Sequence, residues 1–156
     1  MIYAVLKFLH VLSIITWVGG MIFTQLALRP AAASLDAPAR LRLMHAALGR
    51  FFRIVLAAAA VVLGSGLWMI GRVAKESVRA GSGFDMPLDW TIMATLGIVM
   101  ILIFGHIRFA LFRRLDRAVQ ASDWQAGGAA LAAIRQWVSI NLGLGLIIVA
   151  VLYLLP

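Results

Sequence analysis

The chain has no cysteine. That absence excludes disulfides, thiolate metal ligands and a cysteine nucleophile together, so a bound metal must use histidine, methionine, carboxylate or backbone groups. Carboxylates are scarce as well, with 6 Asp and Glu among 156 residues and none inside the long apolar runs. A paired-carboxylate metal or proton site at membrane depth is therefore absent. There is no phosphate-binding glycine loop, and Ser13, Ser65 and Ser139 have no evident acid–base partner.

Apolar residues are what the chain has in abundance. They make up 63% of it against 13% charged, and the mean hydropathy of +1.00 is far too high for a soluble domain of this size. Four stretches meet the roughly 20 apolar residues that a spanning helix needs: 2–28, 51–70, 90–112 and 137–155. The first exceeds the roughly 7–15 apolar residues of a cleavable signal and reads as a retained span. The expected fold is all-α, an integral membrane four-helix bundle forming a single domain over 1–156.

A net charge of +8 in a soluble protein would point to nucleic acid; here its distribution is topological. Arg29, Arg40, Arg42, Arg50 and Arg53 lie in or beside the first connection, and Arg108, Arg113, Arg114, Arg117 and Arg135 in or beside the third. In the second, Arg72, Lys75 and Arg79 are offset by Glu76, Asp85 and Asp89. By the positive-inside rule the first and third connections are cytoplasmic and both termini face outward. The basic excess reads as orientation and anionic-lipid contact, not nucleic-acid binding. The localisation this implies is that of a multi-pass membrane protein with its basic connections on the cytoplasmic side.

The connections carry helix punctuation. A turn is expected at Arg29-Pro30, followed by a helix start at Asp36-Ala37-Pro38 with an acidic cap and an early proline. Leu41, Met44, His45, Leu48 and Phe52 then recur at helical spacing, so this helix runs along the interface or straight into the second span. The stretch 72–89, with Gly81-Ser82-Gly83 and Pro87, reads as a flexible external loop, with Asp89 as a cap for the third span. Ser122 or Asp123 is positioned to cap a helix from Trp124 into the fourth span. Cytoplasmic extensions are thus expected before the second and fourth spans.

The candidate chemistry centres on the first span, where His10 is an ionisable group inside a bilayer-length run. Lys7, His10, Ser13, Trp17, Met21 and Thr24 fall on or near one helical face. Trp17 stands mid-span, whereas Trp68, Trp90, Trp124 and Trp137 fall near expected membrane boundaries. Gly19-Gly20, Gly64-Ser65-Gly66 and Gly143-Leu144-Gly145 permit close approach of helices or of a flat ligand.

By depth, His10 belongs to the outer half of the first span, His106 to the inner half of the third and His45 to the cytoplasmic interface. Without thiolates, imidazole is the best available ligand for haem iron or copper. His10 and His106 stand on the order of 10 Å or more apart along the membrane normal, which argues against one haem held by both. Met69 and Met93, in the outer parts of the second and third spans, are candidate thioether ligands opposite His10. Lys7 either snorkels to the surface or pairs with an anionic group such as a haem propionate. Asn141 reads as an interhelical hydrogen-bond partner.

Several of these residues carry a family resemblance. Lys7-Phe8-Leu9-His10 with Trp17-Val18-Gly19-Gly20, Gly66-Leu67-Trp68-Met69, His106, Ile134-Arg135 and Asn141-Leu142 resemble the copper resistance protein D (CopD) superfamily, which includes HemJ-type protoporphyrinogen oxidases. The resemblance covers nearly the whole chain. It implies a four-helix inner-membrane bundle, with copper uptake or tolerance on one side of the family and b-type haem with porphyrinogen oxidation on the other. His10 matches the central first-helix histidine of the HemJ-like proteins. Those proteins carry a third-helix lysine where this chain has Thr95, which speaks against porphyrinogen oxidase activity and leaves haem binding open.

The leading expectation is a small haem b protein in electron transfer or another oxidoreductase role, with His10 an axial ligand, His106 a second ligand or second site, and Trp17, Lys7 and Met69 around the cofactor. A redox partner or quinone, and a homodimer, are compatible partners. The alternative is copper transport or tolerance using His10, Met69 or Met93, and His106, with His45 as a further metal candidate. A third reading is a non-catalytic membrane subunit.

Overall fold

A computed structural model describes residues 1–154. It contains four long helices: α1, Ile2–Ala32; α2, Ala37–Arg79; α3, Leu88–Gln120; and α4, Trp124–Leu154. Each is long and apolar enough to cross a membrane, and among the described residues there is no strand. The chain is an all-α, multi-pass, four-helix membrane bundle whose environment is a lipid bilayer. Its outward surface is accordingly apolar, with Phe8 64% and Leu102 68% exposed. The expected end of the fourth span at Leu155 lies outside the described residues.

The helices outrun the apolar segments expected of them. No turn forms at Arg29-Pro30; α1 passes through Pro30 to Ala32. A wide π-helical turn over Thr24–Leu28, closed by the Arg29 N–H on the Thr24 carbonyl, precedes the proline, whose missing N–H would otherwise break the ladder. Likewise α2 continues to Arg79, which shortens the expected 72–89 loop to 80–87. Arg72 stiffens that extension, bonding Glu76 one turn on at 2.8 Å and lying over the Trp68 and Tyr3 rings. The third helix runs past its expected end to Gln120, because Leu111, Phe112, Leu115 and Ala118 are buried. It too contains a π-helical turn, Ile107–Leu111.

The cap assignments divide. Asp123 accepts a hydrogen bond from the Ala126 N–H at 2.9 Å and starts α4 as expected, with Ser122 at φ 56° in the turn before it. Asp36 precedes α2, but its side chain makes no capping bond. Pro87 holds the position before α3 and Asp89 sits inside the first turn; a proline there fixes φ and leaves the next residues free to begin the helix.

α1 packs chiefly on α2 and α3 on α4, and the core they share is unevenly distributed. Leu41, Met44, Leu48, Phe52 and Val55 of α2 are buried, the spacing expected from sequence, and α2 continues directly from that stretch into its span. They meet Phe104, Ile107, Leu111 and Leu115 of α3 and Ile134 and Val138 of α4 in one cluster. An aromatic column runs through it: Trp17 edge-on to Phe104 at 5.7 Å, Phe104 to Phe52 at 5.9 Å, and Phe52 to Phe112 at 5.4 Å. Toward the other end packing thins, since α1 buries nothing before Trp17 and α3 nothing before Met100.

The α1–α2 contact turns on Gly20. A Cβ there would overlap the Phe51 ring, so only glycine seats that ring between the helices. Gly20→Ala is expected to destabilise the bundle by about 1–3 kcal/mol. In a Phe51→Ala background most of that cost should disappear, as thermal unfolding of the four variants in detergent would reveal; strictly additive effects would contradict the contact.

Candidate functional site

Where the packing thins, the four helices enclose a cavity of about 120 Å³. α1 contributes His10, Ile14, Trp17 and Val18; α2 contributes Val62, Gly66 and Ile70; α3 contributes Met93, Gly97, Met100 and Ile101; α4 contributes Gly145 and Ile148. Its walls are almost wholly apolar, and His10 is the only ionisable side chain among its lining residues. Leu67 and Ile98, at its margin, are 63% and 51% exposed, so the cavity reaches the outer face of the bundle. The small residues make the space: a Cβ at Gly97 would meet nothing within 4 Å, while one at Gly145 would press on Val18 at 3.1 Å and Met100 at 3.2 Å.

The His10 ring is oriented by a relay. Ser65, 4% exposed, donates its single hydroxyl proton back to the Val61 carbonyl one turn earlier. Its oxygen must then accept from His10, whose Nδ1 lies 2.8 Å away. In that arrangement neutral His10 carries its proton on Nδ1, beside the Val61–Val62 backbone, and Nε2 makes no side-chain hydrogen bond. An imidazole whose second nitrogen donates into a hydroxyl–carbonyl chain has the arrangement found behind metal-ligating histidines.

The other sequence candidates separate. Trp17 is buried and lines the cavity, Met93 lines it, and Met21 and Thr24 are buried further along the same α1 face. Lys7 is exposed and, like Met69, lies outside the cavity lining. His106 is exposed, its ring edge-on to Trp137 at 5.2 Å, on a surface separate from His10. His45 lies on the order of 30 Å along α2 from Ser65. Its Nε2 is bonded to Asp116 at 2.8 Å and its ring is stacked on Phe112. The three histidines therefore occupy three different places. Thr95 is exposed and does not face the cavity. Asn141 is 1% exposed, and its Oδ1 has no hydrogen-bond partner.

Met100 and the partnership of Ser65 with His10 were not anticipated from sequence. The second was findable in principle, because Trp68 marks a boundary and Ser65 lies one turn inside it, in the layer of His10. Met100 carried no signal beyond being a methionine in an apolar run. Among the described residues no group of three His, Asp or Glu side chains comes together. The donors at the cavity are one imidazole and two thioethers, a set suited to a soft ion.

These features define an integral membrane four-helix protein with one imidazole–thioether cavity near one end of the bundle. The chain belongs to the copper resistance protein D (CopD) family, whose profile matches residues 45–155. The matched region supplies Ser65, Gly66, Met93, Met100 and Gly145 but not His10, which α1 brings to it. Comparison with curated proteins and with solved structures gives no significant match.

The tautomer is directly measurable. In ¹⁵N-histidine NMR, His10 should show a protonated Nδ1 and an unprotonated Nε2 at neutral pH. Ser65→Ala should shift the ring toward the Nε2–H form; an unchanged spectrum in that variant would disprove the relay.

Proposed function

We propose that this chain handles copper as cargo, taking a copper(I) ion into the cavity from the His10 end. The observation that carries this reading is the Nε2 of His10, which makes no side-chain hydrogen bond, at a cavity that Met93 and Met100 also line. Imidazole nitrogen and thioether sulfur are the donors that select copper(I) in a site without thiolate. The Val61–Ser65 relay holds His10 in the tautomer a ligand needs, and Trp17 closes the cavity floor against Phe104. Membership of a copper-resistance family supports the same ion. We place the protein in a bacterial inner membrane, with the His10 end outward and the arginine-rich end in the cytoplasm.

A haem fits these residues poorly. Pockets that bury a drug-sized ligand run to roughly 300–1,000 Å³, against about 120 Å³ here. His106 and Lys7 stand away from the cavity, so neither a second axial histidine nor a propionate partner is at hand.

Titration of the detergent-purified protein with copper(I) against a chelating indicator should give one bound ion per chain. His10→Ala should abolish binding, and Ser65→Ala should weaken it roughly tenfold or more. Gly97→Leu, which fills the space without removing a donor, should block it as well. A wild-type chain that takes up no copper(I), or a Soret band in protein from haem-replete cells, would overturn the proposal.

A further inference from the structure

At the opposite end, α1 and α4 hold two arginines together. The aliphatic stems of Arg29 and Arg135 line one apolar crevice, which holds the two charges near enough to repel. Gln25 holds the Arg29 guanidinium and ties α1 to α4 beside Arg135: its Oε1 accepts from Arg29 Nη1 at 2.9 Å, while its Nε2 donates to Ser139 Oγ at 2.8 Å and to the Arg135 backbone carbonyl at 3.3 Å. Among the described residues neither arginine has a salt bridge. No carboxylate lines the crevice. Asp116 is taken by His45 and Gln120, and Asp123 by the start of α4.

Two guanidinium charges held side by side with no carboxylate between them repel, and an anion that joins both removes that repulsion. Depth indicates which anion. Arg29 and Arg135 fall within two residues of the ends of the apolar runs 2–28 and 137–155, the level of lipid headgroups. Arg135 is exposed there, so the pair is reachable from outside the bundle.

We propose that Arg29 and Arg135, braced by Gln25, form a binding site for a phosphate group, presented from the bilayer by an anionic phospholipid headgroup. Guanidinium forks match phosphate oxygens in charge and geometry, and basic crevices between spanning helices on the cytoplasmic side take up such headgroups. The site is independent of the copper reading, because it shares no residue with the His10 cavity.

Native mass spectrometry of the full chain in detergent, with phosphatidylglycerol, cardiolipin or phosphatidylcholine added, tests this. The wild type should retain the two anionic lipids over phosphatidylcholine, and Arg29→Gln/Arg135→Gln should weaken retention about tenfold or more. Arg50→Gln/Arg53→Gln, which removes the same charge from exposed positions on α2, should leave retention intact. Gln25→Glu should also abolish retention, because it builds a carboxylate beside the pair and removes the amide that donates to Ser139 and to the Arg135 carbonyl. Displacement of lipid by millimolar inorganic phosphate would assign the phosphate site to the free ion as well; no displacement would assign it to lipid alone. Equal retention by wild type and the double variant, or equal loss in the Arg50/Arg53 control, would overturn the site.

Discussion

The cavity depends on an aromatic column that stops at Trp17. Lipid tails are as apolar as leucine, so helices in a bilayer gain little from simple burial and associate through close van der Waals packing. Phe112, Phe52, Phe104 and Trp17 interlock edge to face in one half of the bundle, an arrangement that contributes beyond contact area alone. Past Trp17 the facing residues shrink to Gly66, Gly97 and Gly145. No pair of aromatic rings interlocks there, and the space between the helices is left open. The same column sets the floor on which any ligand of His10 rests.

Charge follows the same polarity as packing. Glu76, Asp85 and Asp89, three of the 6 carboxylates, belong to the end that holds the cavity, whereas the arginine clusters gather at the other. A cation meets nearly balanced charge on approach to His10, where Glu76, Asp85 and Asp89 offset Lys7, Arg72, Lys75 and Arg79, and an unfavourable potential toward Arg29 and Arg135. In the copper reading this makes the cavity a site entered and left from one end. The basic end holds its own geometry through neutral and paired contacts: His45 with Asp116, Arg42 over Trp124, and Gln25 across to α4.

Much of this was legible in the chain because membrane physics constrains sequence so tightly. A bilayer-length apolar run has few folds open to it, and the spacing of Leu41, Met44, Leu48 and Phe52 marks a buried face without reference to a partner. Helix ends were less legible. Pro30 reads as a stop, yet a π-helical turn over Thr24–Leu28 carries α1 through it; the third helix likewise continues because α4 gives Leu115 and Ala118 something to pack on. Asp123 acted as a local signal should, since a cap needs only its own helix.

The site divides along the same line. His10 as a costly histidine within a span, Trp17 as an interior indole and the lack of thiolate were all present in the order of residues, because each follows from composition and depth. Which groups meet was not. Ser65 reaches His10 from 55 residues away, Met100 rather than Met69 joins the cavity, and His106 turns outward against Trp137. Those outcomes depend on the rotation of each helix about its axis. Rotation is decided by interlocking side chains from other helices, such as Phe51 over Gly20, which no single segment of the chain can specify alone.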